Sequence, residues 1–505
     1  MNIKRAKQEI MDTLRAYLAK DQFGNYRIPT LRQRPLLLMG PPGIGKTQIM
    51  EQVATEMNLG LVAYTITHHT RQSALGLPLI RQETFGGKSY SVTEYTMSEI
   101  LASVYRLIEQ SGQTEGILFL DEINCISETL TPMMLQFLQY KTFGNQRLPE
   151  GWVLVAAGNP PEYNKSVREF DVATLDRVKR MDIQQDYGVW KEYALRKGLH
   201  GAILSYLDLR KDHFYAMEAA PGGMQFVTAR GWEDLSELLT VYETLGQKAD
   251  QEVVGQYLQL PRIAKDFAAY LALYEKYRQV YQVDEILAGH IQGLSARELA
   301  AAPFDEKLSV LGLLLARLRE STHNLWQLDE TTSQVHQALV RVKQAESNAD
   351  AALMLQAELM ALQHQISRRK QNGADGSALA PLLAAAQQLE GYLHQLELNR
   401  PQDAFAFLKE QFTQLTSQHS QLAEQTGQQL EYAFAFLEQA LGESQEMVLF
   451  ATELTAGFHT SWYIEQFGCP AYFRHNQSML FDDTEQALRS QIAAARQQDS
   501  QHHTL

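Results

Sequence analysis

Glycines, a lysine and a threonine at fixed spacing predict a phosphate-binding loop near the start of the chain. The run LLLMGPPGIGKT at 36–47 contains the pattern G-x-x-x-x-G-K-[ST], in which Gly40, Gly45, Lys46 and Thr47 hold the fixed positions. Glycines in this pattern let backbone N–H groups turn toward phosphate oxygens at the beginning of a helix. The lysine ammonium neutralises the β and γ phosphates, and the threonine hydroxyl binds Mg²⁺. The predicted nucleotide-binding residues are Gly40, Pro41, Pro42, Gly43, Ile44, Gly45, Lys46, Thr47 and Gln48.

An acidic pair follows another apolar run farther along the chain. The run GILFLDE at 116–122 places Asp121 and Glu122 at the carboxyl end of a predicted buried strand, where doubly wound sheets bind their ligands. Asp121 can hold Mg²⁺, directly or through water, and Glu122 can orient and deprotonate an attacking water. An apolar run that ends in Asp-Glu is by itself as typical of a strand end at the surface. Because this run follows a phosphate loop, the pair predicts nucleotide hydrolysis.

The elements that must position these residues are visible as alternating patterns between about residues 28 and 185. Short apolar runs typical of strands alternate with amphipathic stretches typical of helices, and the runs lie at 35–40, 60–66, 116–122 and 152–159. Such alternation predicts an α/β fold in which helices cover both faces of a doubly wound, mostly parallel sheet. The predicted nucleotide-binding domain, with its N-terminal helix, covers 1–186.

Helical periodicity replaces the strand pattern after this domain. The region 187–304 is predicted to form a helical lid without strands, and 305–505 an all-α appendage. Apolar residues in the appendage recur at steps of three, four or seven: Leu328, Val335, Leu339 and Val342, then Leu355, Leu359, Leu362 and Ile366, then Leu382, Leu389, Leu393 and Leu396. Such stripes predict a helical hairpin or bundle that packs on itself, and an open coiled coil that reaches a partner is the alternative.

The bulk composition limits the classes of function. A formal net charge of −14 over 505 residues argues against a broad nucleic-acid surface, which needs clustered Lys and Arg. The two cysteines, Cys125 and Cys469, are far apart and outside any C-x-x-C pair, so a reducing compartment is expected. The first 20 residues resemble an amphipathic helix rather than a signal peptide, and no run approaches the ~18 apolar residues of a membrane span. These features predict a cytoplasmic protein that does not bind a membrane.

The ordered motifs GPPGIGKT, FLDEIN, VAAGNP and TLDRVKR resemble those of AAA+ ATPases of the MoxR-like and dynein-related branch. The resemblance covers about residues 30–290. It implies a P-loop NTPase core with a helical lid, ATP and Mg²⁺ as cofactors, and hydrolysis of ATP in a homo-oligomeric ring, expected to be a hexamer. The choice of ATP over GTP comes from the family alone, because the loop contacts phosphates and not the base.

The same resemblance implies catalytic roles for three further residues. Asn159 is similar to the sensor-one residue that positions water near the γ-phosphate, and a turn before two prolines is the alternative. Arg177 matches the Leu-Asp-Arg element that supplies an arginine finger to the neighbouring subunit, and Arg180 is the second candidate for this role. The alternative for Arg177 is an ion pair at the surface. Arg230 is similar to the sensor-two arginine of the lid, although Ala229 stands where the family often has proline. An arginine at a helix end is the alternative there.

Two segments resemble insertions of this branch. Residues 76–96 are predicted to form a hairpin with Gly86-Gly87 at its turn, and residues 141–152 carry a second turn signal at Gly144-Asn145. In related motors such hairpins approach the central pore or the client. A hairpin that only packs against its neighbour is an equal alternative. The candidate contact residues are Phe85, Lys88 and Tyr90.

The resemblance implies that ring motion remodels a protein client. MoxR-like proteins commonly assist proteins with von Willebrand factor A domains, in metal insertion or in maturation of complexes. A nucleotide-gated binding scaffold with little turnover is one alternative, and the intact Glu122 argues against it. A DNA-processing motor is another, because the branch includes restriction-associated subunits that use GTP. The acidic net charge of the chain argues against a DNA-processing motor.

Overall fold

The computed structural model describes residues 1–68, 76–128, 130–143, 146–163, 167, 170–220, 223–290, 293–344, 347–371 and 376–476. The chain divides into two compact units. The first comprises Met1–Val189, Thr228–Gly231 and Ser367–Asp375, and the second comprises Trp190–Val227, Trp232–Ile366 and Gly376–Leu505. The division into three domains at 1–186, 187–304 and 305–505 stays a prediction.

The first unit alternates strands and helices. Its strands are β1 (Leu36–Met39), β2 (Gly60–Thr65), β3 (Pro78–Phe85), β4 (Lys88–Tyr95), β5 (Gly116–Asp121), β6 (Thr142–Phe143), β7 (Gln146–Arg147), β8 (Trp152–Gly158) and β9 (Lys179–Asp182). Its helices are α1 (Ile3–Tyr17), α2 (Lys46–Met57), α3 (Glu99–Ser111), α4 (Thr131–Tyr140) and α5 (Val172–Leu175).

Five of these strands form one parallel sheet in the order β2-β5-β8-β1-β9. Every residue of β1 and β8 is buried, as expected for parallel strands that are covered on both faces. Because the strands are parallel, their carboxyl ends lie together at one edge of the sheet. The phosphate loop, the acidic pair and Asn159 follow three of these ends.

Alternate residues of each strand pack against different helices. Leu36 and Leu38 are buried in a cluster with residues of α1 and α2, whereas Leu37 and Met39 are buried in a second cluster with residues of α3 and α4. The sheet therefore has a hydrophobic layer on each face. Burial of this apolar surface is the main stabilising contribution to the unit. The predicted doubly wound α/β core is confirmed.

Two strand-containing segments differ from the sequence prediction. β9 was not predicted, because three of its four residues are charged and only Met181 is buried. The strand lies at the edge of the sheet. The expectation that 187–304 has no strands is wrong. Ala216–Ala220 (β10) pairs in antiparallel fashion with Gly223–Val227 (β11). Alanine and glycine are depleted in strands, so local propensity gave no signal for this hairpin.

The hairpin predicted at 76–96 is confirmed. β3 and β4 pair along their full length up to Phe85 and Lys88, and Gly86 and Gly87 form the two-residue turn between them. Both glycines have positive φ, 56° and 78°, which the tight turns that match strand twist require. The second predicted turn, Gly144-Asn145, lies outside the described residues, although β6 and β7 flank it.

The second unit is almost entirely helical. Apart from the residues that belong to the first unit, its helices are α6 (Tyr187–Lys197), α7 (Gly201–Leu209), α8 (Ala229–Leu245), α9 (Gln251–Tyr257), α10 (Pro261–Tyr281), α11 (Val283–Leu287), α12 (Gly293–Ala301), α13 (Phe304–Val342), α14 (Asn348–Gln371), α15 (Gly376–Asn399), α16 (Ala404–Leu441), α17 (Gln445–Ala456) and α18 (Phe458–Phe467). The 39-residue α13 contacts α7, α15, α16 and α18.

The apolar stripes predicted in the C-terminal region lie inside one hydrophobic cluster of this unit. Val335 of α13, Leu355 of α14 and Leu389 of α15 are all buried in it, together with Leu408 of α16, which was not part of a predicted stripe. The helices therefore pack on one another along the predicted faces. Among the helices that the structure describes, none is long and apolar enough to cross a bilayer.

Candidate functional site

The phosphate loop joins β1 to α2, and two of its glycines are fixed by close neighbours. A Cβ atom on Gly40 would lie 2.8 Å from the carbonyl oxygen of Ile183, and one on Gly43 would lie 2.9 Å from the side chain of Thr228. Gly43 and Gly45 also have positive φ, 73° and 87°. Only glycine fits such positions without strain, so the loop backbone can approach a ligand closely. This is the cradle that a chain of phosphates requires.

Lys46 is the first residue of α2, and its side chain is turned into the loop. Its Nζ donates hydrogen bonds to the carbonyl oxygens of Gly40 and Pro41, both at 2.8 Å, and to Oδ1 of Asn159 at 2.9 Å. Lys46 is only 8% exposed, and this burial lowers its pKa to about 8; the negative charge of Asp121 opposes the shift, and Arg230 adds to it. The ammonium therefore lies where phosphate oxygens would bind.

Thr47 and Asp121 lie side by side at the carboxyl edge of the sheet. Thr47 Oγ1 donates to Asp121 Oδ2 at 2.9 Å, and Asp121 Oδ1 accepts from the backbone N–H of Glu122 at 2.9 Å. A hydroxyl and one carboxylate are hard oxygen ligands of the kind that Mg²⁺ prefers. Mg²⁺ commonly binds through one or two carboxylates together with substrate phosphates. The donor set therefore fits Mg²⁺ that arrives with a nucleotide.

Glu122 occupies an unusual backbone conformation directly after β5. Its φ is +56°, in the left-handed region that few non-glycine residues adopt, and the N–H of Cys125 donates to its carbonyl oxygen at 2.9 Å. Its carboxylate Oε2 accepts a hydrogen bond from Thr67 Oγ1 at 3.1 Å. Strain of this kind clusters at functional sites, where the surroundings must hold it. Thr67 was not predicted, although a polar residue just after the neighbouring strand β2 was a usable signal.

Asn159 follows β8 and is held by a second asparagine, which was not predicted either. Asn124 Nδ2 donates to the carbonyl oxygen of Asn159 at 2.7 Å, and the N–H of Asn159 donates to Asn124 Oδ1 at 3.3 Å. Asn124 is only 3% exposed. An asparagine two residues beyond the acidic pair was visible in the sequence, but its partner lies 35 positions away. The fold alone brings these two residues together.

The three predicted arginines differ in their surroundings. Arg177 follows α5 and is exposed; its Nη1 donates to the carbonyl oxygen of Ala173 at 3.4 Å. Arg180 forms an ion pair with Asp182 at 2.8 Å. Arg230 is exposed, and its charge helps to lower the pKa of Lys46.

The structure therefore gathers most of the predicted site at one sheet edge. Hydrogen bonds join Lys46 to Asn159 and Thr47 to Asp121, and Glu122 is the next residue. Arg177 is not bonded to this group among the residues that the structure describes. The fold and the loop define a P-loop nucleotide-binding protein.

Residues 35–178 match the family model of the AAA domain of the dynein-related subfamily. The match includes the phosphate loop, the acidic pair, Asn159 and Arg177, and it ends before Arg230. This part of the chain is an AAA domain of that subfamily.

Two solved structures show limited similarity. A presumed ATPase from Cytophaga hutchinsonii is 20% identical with a TM-score of 0.20, and the match covers 36% of this chain and 52% of that chain. PCH-2 from C. elegans is 14% identical with a TM-score of 0.24, and the match covers 41% and 48%. This chain thus spans about half the length of either protein. No curated protein matches the sequence.

Proposed function

We propose that the chain is an AAA+ ATPase that hydrolyses ATP with Mg²⁺. The observation that carries this proposal is the pair of hydrogen bonds from consecutive loop residues, Lys46 to Asn159 and Thr47 to Asp121. At two consecutive loop residues they pair a cation with a carboxamide and a hydroxyl with a carboxylate, and Glu122 follows that carboxylate in the sequence. Phosphoryl transfer requires such positioned charges and little covalent chemistry from the protein.

Each residue has a physical role in the proposed reaction. Backbone N–H groups of the loop bind phosphate oxygens, and the Lys46 ammonium exchanges its carbonyl partners for the β and γ phosphates. Glu122 orients a water and accepts its proton as the water oxygen bonds to the γ-phosphorus and the bond to the leaving ADP oxygen breaks. Asn159 positions the water near the γ-phosphate, and Arg230 contacts this phosphate from the same subunit. Thr47 and Asp121 would hold Mg²⁺, which would supply further neutralisation of phosphate charge.

The test is steady-state phosphate release by the full chain and its Glu122→Gln variant. The variant keeps the shape of the side chain but removes the base, so we expect turnover to fall roughly 10²- to 10⁴-fold with nucleotide binding retained. Glu109→Gln, at an exposed position on α3, is the matched control and should keep wild-type turnover. Equal phosphate release from all three proteins would rule out hydrolysis at this site.

We further propose that the ATPase works as a ring, with six subunits, in which Arg177 completes the neighbouring site. Its exposed guanidinium supports this role, because a finger must be free to reach another subunit. Like MoxR-like proteins, the ring would remodel a client that carries a von Willebrand factor A domain. The sequence has only two cysteines, Cys125 and Cys469, which lie far apart and outside any C-x-x-C pair, and this supports a reducing compartment such as the cytoplasm.

The β3–β4 hairpin is the proposed client contact. Phe85 is 56% exposed and Tyr90 is 50% exposed, and their ring centroids lie 6.1 Å apart. Lys88 lies beside them and pairs with Phe85 in the register of the hairpin. Exposed aromatic side chains next to a cation are typical of protein contact surfaces, in which aromatic residues are enriched.

A further inference from the structure

Asn124 holds both backbone polar groups of Asn159 at once. Its Nδ2 donates to the Asn159 carbonyl at 2.7 Å, and its Oδ1 accepts from the Asn159 N–H at 3.3 Å. A buried carboxamide that satisfies two backbone groups of one residue fixes the position of that residue, because breaking either bond leaves a buried polar group unpaired. Asn159 is therefore held at its backbone while its side chain remains available to Lys46.

The residue before Asn159 is shaped around the same side chain. A Cβ atom on Gly158 would lie 2.5 Å from Asn124 Oδ1 and 2.9 Å from its Cγ. Any larger residue at this position would push Asn124 away. The backbone of β8 can therefore approach Asn124 closely only because residue 158 is a glycine. Gly158 does not have a positive φ, so the need for glycine here comes from this contact and not from the backbone conformation.

Asn124 also connects the two halves of the site. It lies two residues after Glu122, and the intervening Ile123 donates its N–H to the carbonyl oxygen of Ala157 on β8 at 2.9 Å. The turn that carries the base and the strand end that carries Asn159 are therefore joined by three hydrogen bonds within a few residues. These bonds fix the position of the turn relative to the strand end.

We infer that Asn124 is a positioning residue that sets the distance and orientation of Asn159 relative to the γ-phosphate and to Glu122. This inference rests on the proposed ATPase function. Asn124 forms no hydrogen bond with Lys46 among the described contacts. It acts through Asn159, whose Oδ1 accepts a hydrogen bond from the Lys46 ammonium at 2.9 Å. Loss of Asn124 should therefore affect the chemical step, for which geometry matters most, rather than the binding of ADP.

The experiment measures kcat for ATP and the affinity for Mg·ADP in the full chain and in Asn124→Ala. We expect kcat to fall roughly 10- to 100-fold, as misplacement by about 1 Å does, with ADP affinity within about threefold of wild type. Gly158→Ala disrupts the same contact from β8, and it should likewise lower kcat while the affinity for ADP is retained. It keeps the test decisive if Asn124→Ala does not fold.

A matched control separates positioning from general stability. Gln33 is another buried carboxamide of this unit, 4% exposed, and its Nε2 donates to the carbonyl oxygens of Tyr17 and Ile28 at 3.0 and 2.9 Å. Gln33→Ala should keep the wild-type kcat. The inference is overturned if kcat of Asn124→Ala stays near wild type, if ADP affinity falls with it, or if Gln33→Ala loses kcat equally. A wild-type chain no more active than Glu122→Gln overturns the ATPase proposal, and this inference with it.

Discussion

Lys46 Nζ donates a hydrogen bond to Asn159 Oδ1 at 2.9 Å, and this bond ties the beginning of α2 to the end of β8. The same ammonium is enclosed by the carbonyl oxygens of Gly40 and Pro41. Such enclosure removes water from the charge, so burial lowers the pKa of Lys46 to about 8. Because only the protonated amine neutralises phosphate, the affinity for nucleotide should depend on pH.

We predict that affinity for Mg·ADP falls as the pH rises through about 8. The protonated form of Lys46 predominates below that pKa, so the favourable contact is fully present there and is lost above it. The expected loss is at most roughly tenfold per pH unit above the pKa, because one proton is involved. Isothermal titration calorimetry at pH values below and above about 8 measures the affinity for Mg·ADP.

Lys141 offers a matched control for this pH dependence. It is buried, its Nζ donates to the carbonyl oxygen of Thr30 at 2.7 Å, and burial lowers its pKa to about 8 as well. Lys141→Met should leave the pH profile of binding unchanged. A flat profile in the wild type, or a profile that disappears in Lys141→Met, contradicts the assignment to Lys46.

Thr47→Ala should raise the Mg²⁺ concentration needed for half-maximal ATP hydrolysis. The substitution removes the hydroxyl that contacts Asp121 Oδ2, and loss of groups that hold or orient a metal costs roughly 10- to 100-fold in affinity. Thr47→Ser keeps the hydroxyl and should retain most of the affinity for Mg²⁺. Thr55→Ala, on the exposed side of the same helix, is the control and should not change the Mg²⁺ requirement. An unchanged requirement in Thr47→Ala argues against a role of this hydroxyl in metal binding.

The core of the fold could be predicted from the sequence because its strands are buried on both faces. Leu36–Met39 and Trp152–Gly158 are continuous apolar runs, and runs of this kind identify central strands without knowledge of their partners. The loop motif follows one of them directly. The hairpin turn at Gly86-Gly87 was predictable for a similar reason, since its conformation depends on two adjacent residues.

What the sequence could not show depends on distant partners. Lys179–Asp182 forms a strand only because β1 lies beside it, and the alanine-rich Ala216–Ala220 pairs for the same reason. Thr67 and Asn124 belong to the site through contacts with Glu122 and Asn159, and these contacts are set by strand order. Local patterns report burial and turns, but they do not report which strand ends become neighbours.

Arg177→Ala should reduce turnover much more than Arg180→Ala does. Arg180 is held by Asp182 at 2.8 Å, whereas no described carboxylate forms an ion pair with Arg177. Loss of an arginine finger costs roughly 10³- to 10⁵-fold in kcat, and loss of an exposed ion pair changes little. Parallel measurement of phosphate release by both variants distinguishes the two candidates. A larger loss in Arg180→Ala reverses the assignment.

Mixing variants tests whether the finger acts on a neighbouring subunit. Arg177→Ala subunits keep their own base, and Glu122→Gln subunits keep their finger. If sites are shared, each inactive protein supplies what the other lacks, so a mixture should hydrolyse ATP faster than either alone. A mixture that stays as inactive as its components shows that Arg177 does not complete a site in trans.

The second unit should lose stability in mild acid through His459, a buried histidine beside the half-buried His323. His459 of α18 is 8% exposed, and its Nε2 lies 3.2 Å from Nδ1 of His323 on α13. Burial, with a contribution from His323, lowers the pKa of His459 to about 4. The unfolded chain, with a histidine pKa of about 6.5, therefore binds more protons between these values. The free energy of unfolding should fall as the pH drops through this window, by about 1.4 kcal/mol per unit for one such group.

Urea unfolding followed by tryptophan fluorescence at about pH 7 and about pH 5 measures this loss, roughly 2 kcal/mol for His459. Trp326 reports locally, because its ring centroid lies 5.0 Å from that of His459. His459→Gln removes the titrating group and should make the unit less sensitive to acid, even if the variant is less stable at neutral pH. His364→Gln, at an exposed position of α14, should retain the full wild-type difference. If His459→Gln loses as much stability as the wild type between the two pH values, the sensitivity arises from other groups.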